Sequence, residues 1–259
     1  MIRELVLKDL KIRYSRPAIG FFWAFLSPLL MVAILYLVFS VILQVKIKEA
    51  PFLLYLMSAV FPWRFFQDSV LSSTTSLVDN KNLIKESSIP QYLIPLSIVL
   101  ANAINFLPSL GILLLTAIFY LRGLPFFIVL LPIILAIHFV ATMGISLAAS
   151  ILYIKCRDIK YILEAVLQIL FYLTPAFYPL SLIKESFGPA WFTVYTHNPF
   201  VGILNLYRLT ILKGFYPALK GAGAVSIFLV PLGFAIVILA LSFSYYQKNK
   251  TIINDYLSY

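Results

Sequence analysis

The stretch Pro17–Val45, PAIGFFWAFLSPLLMVAILYLVFSVILQV, decides how this chain is read. It runs 29 residues without an Asp, Glu, Lys or Arg. A helix needs about 20 apolar residues to cross a bilayer, so this run is long enough to span one. Before it, residues 1–16 carry Arg3, Lys8, Lys11, Arg13 and Arg16, with Ile2, Leu5, Val6 and Leu10 near helical spacing. That pattern predicts an amphipathic helix lying in the membrane surface. A signal peptide is the rival, but its hydrophobic core would be only about 7–15 residues long, and no clear small-residue cleavage site follows.

The same rule finds further runs downstream. Pro51 to about Val78 is broken only by Arg64 and Asp68, and Ser87–Leu121 is separated from Gly123–Ile154 by the turn Arg122-Gly-Leu-Pro125. Tyr161–Ile183 and Gly221–Gln247 complete six predicted helices. The expected fold is an all-α integral membrane protein, a single transmembrane domain over 1–259. Composition agrees: 62% of residues are hydrophobic and 12% charged, with a mean hydropathy of +0.97, where soluble domains carry about 25% charged residues.

The formal charge of +10 has no basic stripe clear of the oily runs, which argues against nucleic acid as a partner. It suits anionic lipid headgroups instead. The pieces 1–16, 79–90, 155–160 and 248–250 hold twelve Lys and Arg against three in the first two opposite loops. The positive-inside rule therefore predicts both termini in the cytoplasm.

Two segments interrupt this plan. Asp79–Pro90, DNKNLIKESSIP, is a polar island between two spans, with a Leu83-Ile84 pair able to press into a partner. Residues 184–213 are too apolar for an open loop (Trp191, Phe192, Val194, Tyr195, then Phe200–Tyr207) and are split by His197-Asn-Pro199. Two short re-entrant helices before the last span are expected there; neither half reaches spanning length.

Candidate chemistry is sparse. There is no GxxxxGK[ST] phosphate loop, no GxSxG and no HExxH, so no nucleotide hydrolysis motif is present. The single Cys156 and two distant histidines offer no metal centre. Arg64, Asp68, Ser72 and Thr75 fall on one helical face, as do Lys160, Glu164, Gln168 and Tyr172. Such residues line an aqueous path or neutralise one another. His138, Thr142, Ser146 and Ser150, with Gly144, read as a close-packing face, His138 as a packing residue rather than a proton relay. Asn102, Asn105 and Ser109 read as interhelical hydrogen-bonding groups. The many aromatics, among them Trp23, Tyr36, Phe61, Trp63, Tyr172 and Tyr178, fit an interfacial belt or a carbohydrate path.

Several strings in order then resemble one family: Lys8-Asp-Leu-Lys-Ile-Arg-Tyr14, Gly20-Phe-Phe-Trp-Ala24, Phe61-Pro-Trp63, Ile89-Pro90 with Ile94-Pro95, Tyr153-Ile-Lys-Cys-Arg-Asp-Ile159, Thr174-Pro175 with Tyr178-Pro179, and Asn198-Pro199. They resemble ABC permeases that export polysaccharides (O-antigen, teichoic acid and capsule exporters, Wzm-like), over most of the chain and weakest beyond Lys213. The resemblance implies a homodimer bound to two copies of a separate ABC ATPase, in the bacterial inner membrane. It implies that 79–90 is the coupling helix, with Asn80, Lys81, Leu83, Ile84, Lys85 and Glu86 meeting the ATPase. Lys11, Arg13, Tyr14 and Arg16 would receive a lipid diphosphate. Spans one, two and five would line the tunnel, through Trp23, Tyr36, Phe61, Trp63, Arg64, Asp68, Gln168, Tyr172 and Tyr178. The segment 184–213 would form the outer gate. The implied substrate is a glycan on undecaprenyl diphosphate, with ATP and Mg on the partner and no cofactor in this chain.

Three other classes are weighed. A drug or non-glycan lipid exporter would share the architecture but not the polysaccharide-type strings. A secondary transporter would show a repeat between halves, and none is visible. A membrane glycan enzyme would want clustered carboxylates or histidines on one water-facing side, whereas Asp68 and Glu164 are isolated.

Overall fold

The computed structural model describes residues 1–13, 17–47, 50–86, 89–213, 215 and 224–258. Helices α1 (Ile2–Arg13), α2 (Pro17–Tyr36), α3 (Phe52–Thr74), α4 (Ser76–Asp79), α5 (Lys81–Glu86) and α6 (Leu93–Leu121) come first. A 3-10 turn, Phe126–Leu130, opens α7 (Leu131–Lys155). Then follow α8 (Ile159–Leu173), α9 (Leu180–Thr196), α10 (Pro199–Ile211) and α11 (Ala224–Ser258). No strand occurs among the described residues. In lipid the backbone must satisfy its own hydrogen bonds, and helices do so within each segment.

Three described helical stretches are long and apolar enough to cross a membrane: Leu93–Leu121, Phe126–Lys155 and Ile227–Thr251. Leu26–Ile42 is a shorter apolar helix, because α2 runs into a π-helical turn, Leu37–Ile42. Helix α3 has 23 residues, about 34 Å of rise, but Arg64, Asp68 and its run of hydroxyls lower its hydropathy.

The structure redraws the expected fifth span. Tyr161–Ile183 is not one helix: α8 stops at Leu173, and 174–179 is irregular. Thr174 precedes Pro175 and takes an extended ψ of 153°, as a residue before proline does when it cannot stay helical. At 15 residues, α8 rises only about 22 Å. The expected sixth span is longer than its apolar run, since α11 stays helical to Ser258. The expected surface helix ends at Arg13, and residues 14–16 lie outside the described residues. It is also less freely amphipathic than expected. Leu5 and Val6 are buried, while Leu7 and Ile12 remain exposed.

Helix α3 is the hub, packed against α2, α6, α7, α8 and α10. Helix α11 lies along α7, and Gly144 makes that approach possible: a Cβ there would stand 2.8 Å from the backbone N of Leu239. Gly202 does the same for α10, where a Cβ would meet Cγ of Pro231 at 2.5 Å. Small residues at such crossings are how helices pack without a hydrophobic driving force. Helix α10 is consequently buried from Val201 to Ile211. The expected break at 197–199 is real, with Asn198 Oδ1 accepting from Phe200 N at 2.9 Å to cap α10. The pair of segments starts earlier than residue 184, at Leu180, and α9 itself breaks at Gly188, whose φ of +83° suits glycine.

Candidate functional site

At one end of the bundle, α1 is tied to the polar island. Lys8 Nζ donates to Asn80 Oδ1, and Ser97 Oγ at the start of α6 donates to Asp9 Oδ2 at 2.8 Å. Asn80 is the joint between α4 and α5. Its Nδ2 donates to the Ser76 carbonyl at 2.9 Å, while its own carbonyl accepts from Ile84 N at 3.1 Å. Of the residues read as an ATPase contact, Ile84 packs against the core, Asn80, Lys81 and Leu83 are half-buried and Lys85 is exposed; Asn82, which is not among them, is exposed as well. The side chain of Glu86 lies outside the described residues, as do that of Arg13 and all of Tyr14 and Arg16; Lys11 is exposed. At the same end Lys155 Nζ donates to Asn249 Oδ1 at 2.6 Å and sits 5.0 Å from the Tyr245 ring centre, joining α7 to α11.

Midway along the bundle, α2, α3 and α6 line a partly open cavity of about 260 Å³. Helix α3 contributes Phe61, Arg64, Phe65 and Asp68; α6 contributes Asn102, Asn105, Phe106 and Ser109; α2 contributes Ser27 and Pro28. Arg64 donates to Ser27 Oγ at 3.2 Å and stands 3.9 Å from the Asp68 carboxylate. The ion pair expected from sequence is therefore present but loose. The two side chains are 31% and 47% exposed. An ionised pair this open and this deep must meet water or another protein surface, because lipid tails would not solvate it.

At the opposite end, Arg208 of α10 is wholly buried. Its guanidinium donates to the carbonyls of Pro175 and Ala176, the latter at 3.2 Å, and its Cζ stands 3.5 Å from the Tyr55 ring centre. Stripped of water, such a cation depends on compensating contacts, here the carbonyls that Nη2 reaches and the aromatic face of Tyr55. The irregular segment after α8 is held by tyrosines as well. Tyr55 Oη donates to the Tyr178 carbonyl at 3.0 Å, Tyr195 Oη to the Leu173 carbonyl at 2.9 Å, and the Tyr178 and Tyr195 hydroxyls are 2.9 Å apart. Sequence reading missed Arg208; its one signal was a lone cation inside the apolar run 199–212.

The expected channel wall is divided. Tyr36, Gln168 and Tyr172 are exposed, and Tyr178 is half-buried. Phe61 and Trp63 are buried, Trp63 within a cluster of Phe66, Phe171 and Phe200, so Trp63 belongs to the core of the chain rather than to an open wall. The side chain of Trp23 lies outside the described residues. Helix α8 has little cover: only Leu167 and Phe171 are buried along it. His138 is the packing residue its spacing predicts, with Nδ1 3.1 Å from Tyr207 Oη and its ring edge-on to Phe65. Among the described residues no cluster of His, Cys, Asp or Glu is arranged to hold a metal ion.

An open ion pair at mid-depth in a helical membrane protein, with a polar island tied to its first helix, suits a membrane transport component. The chain belongs to the ABC-2 type transporter family, whose model matches residues 2–212. It is 28% identical over 233 residues to the O-antigen export system permease protein RfbA of Myxococcus xanthus, covering 89% of this chain and 88% of that protein. It is 29% identical over 208 residues to the RfbA permease of Klebsiella pneumoniae, covering 80% and 78%.

Proposed function

We propose that this chain is the membrane subunit of an ATP-binding-cassette exporter that carries a polysaccharide linked to undecaprenyl diphosphate, such as O-antigen or teichoic acid, across the bacterial inner membrane. Two copies form the pathway, and two copies of a separate ATPase drive it from the cytoplasm. The observation that carries this reading is the similarity to O-antigen export permeases along nearly the whole length of both chains. The geometry supports it in two places. The α1–α4–α5 clamp is a stiff handle, so a push on Lys85 and Asn82 reaches α3 and α6 directly, as a rigid-body switch requires. The exposed face of α8, with Gln168 and Tyr172 among apolar residues, suits the wall of a path completed by a second copy. Both termini and 79–90 are then cytoplasmic, and the α9–α10 segment, pinned by Arg208, is the outer gate.

The test is deletion in the native host, with complementation by this chain and its ATPase. Surface polysaccharide should vanish and lipid-linked glycan should accumulate on the cytoplasmic side. Normal surface polysaccharide in the deletion strain would reject the reading. Loss of drug efflux, with glycan export intact, would favour an exporter of a drug or non-glycan lipid.

A further inference from the structure

We infer that the mid-depth cavity between α2, α3 and α6 is a binding site for one sugar ring of the exported glycan, and so a determinant of which glycan is accepted. The inference rests on the export reading above and names a site within it.

Three separate helices bring unlike chemistry to the same level. Arg64 is 12 residues from Phe52 and ten from Thr74, so it lies about 18 Å from one end of α3 and about 15 Å from the other. Asn102 and Asn105 are nine and 12 residues into α6, or about 14 and 18 Å along it, and Ser27 is ten residues into α2. Close packing alone does not call for this set. Small residues would satisfy it, as Gly144 does at the α7–α11 seam. Here α3 and α6, though closely packed with each other, leave about 260 Å³ of space beside α2, with an ion pair 3.9 Å long at its edge.

The lining has two characters. Phe61, Phe65 and Phe106 supply aromatic surface, with Phe65 and Phe106 stacked at 5.4 Å. Arg64, Asp68, Asn102, Asn105 and two serines supply donors and acceptors. A pyranose needs both, since its C–H face is apolar and its rim of hydroxyls each donates and accepts. A lipid diphosphate fits less well, because the Asp68 carboxylate opposes the one cation. A hydrated structural cavity has the same polarity but no reason to tell one lipid from another, and that difference is measurable.

The probes are undecaprenyl diphosphate bearing a single N-acetylglucosamine and the same lipid without sugar, added to the permease–ATPase complex in nanodiscs. The readout is lipid-stimulated ATP hydrolysis. Wild type should respond at lower concentration to the sugar-bearing lipid. Asn105→Leu should raise that half-saturating concentration about tenfold, the worth of roughly one hydrogen bond, and leave basal hydrolysis and the response to the sugar-free lipid unchanged. Ser109→Leu, which fills the cavity from the same helix, should do likewise if Asn105→Leu does not assemble. Equal responses to both lipids in wild type, or unchanged responses in both variants, overturn the sugar site while surface export in the host still stands. Loss of both responses together in either assembled variant also overturns it, since the defect is then not one of sugar binding. A wild-type complex that ignores both lipids, in a host whose surface polysaccharide does not need it, fails the export reading instead.

Discussion

The guanidinium carbon of Arg208 lies 3.5 Å from the centre of the Tyr55 ring, joining α10 to the first turn of α3. The same guanidinium accounts for the path of the chain after α8. It binds the carbonyls of Pro175 and Ala176, which have left the helical ladder because Pro175 lacks an N–H to continue it. One buried cation therefore fixes α10, the first turn of α3 and the irregular segment 174–179 against each other.

Replacing Arg208 with Met keeps the volume and removes every polar contact. Two carbonyls lose their donor in a site closed to water, and the cation–π contact is lost as well. The expected cost is about 2–4 kcal/mol, read as a lower midpoint in thermal unfolding of the detergent-solubilised protein. Arg208→Lys should recover only part of it: one nitrogen, Nη2, makes both carbonyl contacts, but a compact, strongly hydrated ammonium lacks the flat face that guanidinium sets over the Tyr55 ring. Equal stability of the Met variant and wild type would show that the staple is not structural.

The two tight helix crossings make a second prediction with an internal contrast. At Gly144 an added Cβ meets backbone, the N of Leu239 at 2.8 Å, so α11 must shift. At Gly202 it meets the ring of Pro231 at 2.5 Å, which is held inside a helix and cannot rotate away. Gly144→Ala and Gly202→Ala should each cost about 1–3 kcal/mol, whereas Gly111→Ala, with nothing within 4 Å, should be neutral or slightly stabilising. Monodispersity and thermal midpoint in detergent distinguish them.

What the sequence conveyed and what it hid follow one physical line. Charge-free runs placed α2, α6, α7 and α11, because desolvation dominates there and depends on composition alone. The close-packing reading of Gly144 held for the same reason, since a missing side chain is visible in sequence. The break at 174–179 was hidden because the charge-free run continues through both prolines to Ile183, although Pro175 and Pro179 themselves were the signal. Pro62, Pro108 and Pro231 sit inside continuous helices, so proline alone does not say which outcome prevails; tertiary packing does. Arg208 and the cavity depend on contacts between distant segments, and periodicity on one helix cannot report them. Asn102, Asn105 and Ser109 were thus legible as polar groups on one helix, but not as one wall of a shared cavity.

The clamp at the other end predicts uncoupling rather than unfolding. Lys8 is half-buried and bonds Asn80, the joint between α4 and α5. In Lys8→Ala the Asp9–Ser97 contact still holds α1 on α6, so the protein should insert and bind its ATPase. Motion of α5 is then less firmly passed to α1, and glycan moved per ATP hydrolysed should fall several-fold while hydrolysis itself changes little. Co-purification with hydrolysis and export measured on the same sample checks this; proportional loss of both would mean that the contact serves ATPase binding instead.

Two exposed apolar faces invite a partner, and chemistry separates them. The outer face of α11 between Leu229 and Leu241, including Ile236 and Val237, is apolar and suits lipid tails. Helix α8 exposes Tyr161, Ile162, Ile169 and Leu173 around Gln168 and Tyr172, and an amide at that depth favours protein or water over hydrocarbon. If two copies form the pathway, as proposed above, the second should therefore lie along α8. In a Cys156→Ser background, single cysteines at Ile162, Ile169 and Leu173 should yield an oxidised dimer band at one position or more, while Leu229→Cys should stay monomeric on the gel. Cross-linking through Leu229 and none along α8 would move the two-fold axis to α11. It would also leave Gln168 and Tyr172 facing lipid, removing the physical reason for placing the glycan path there.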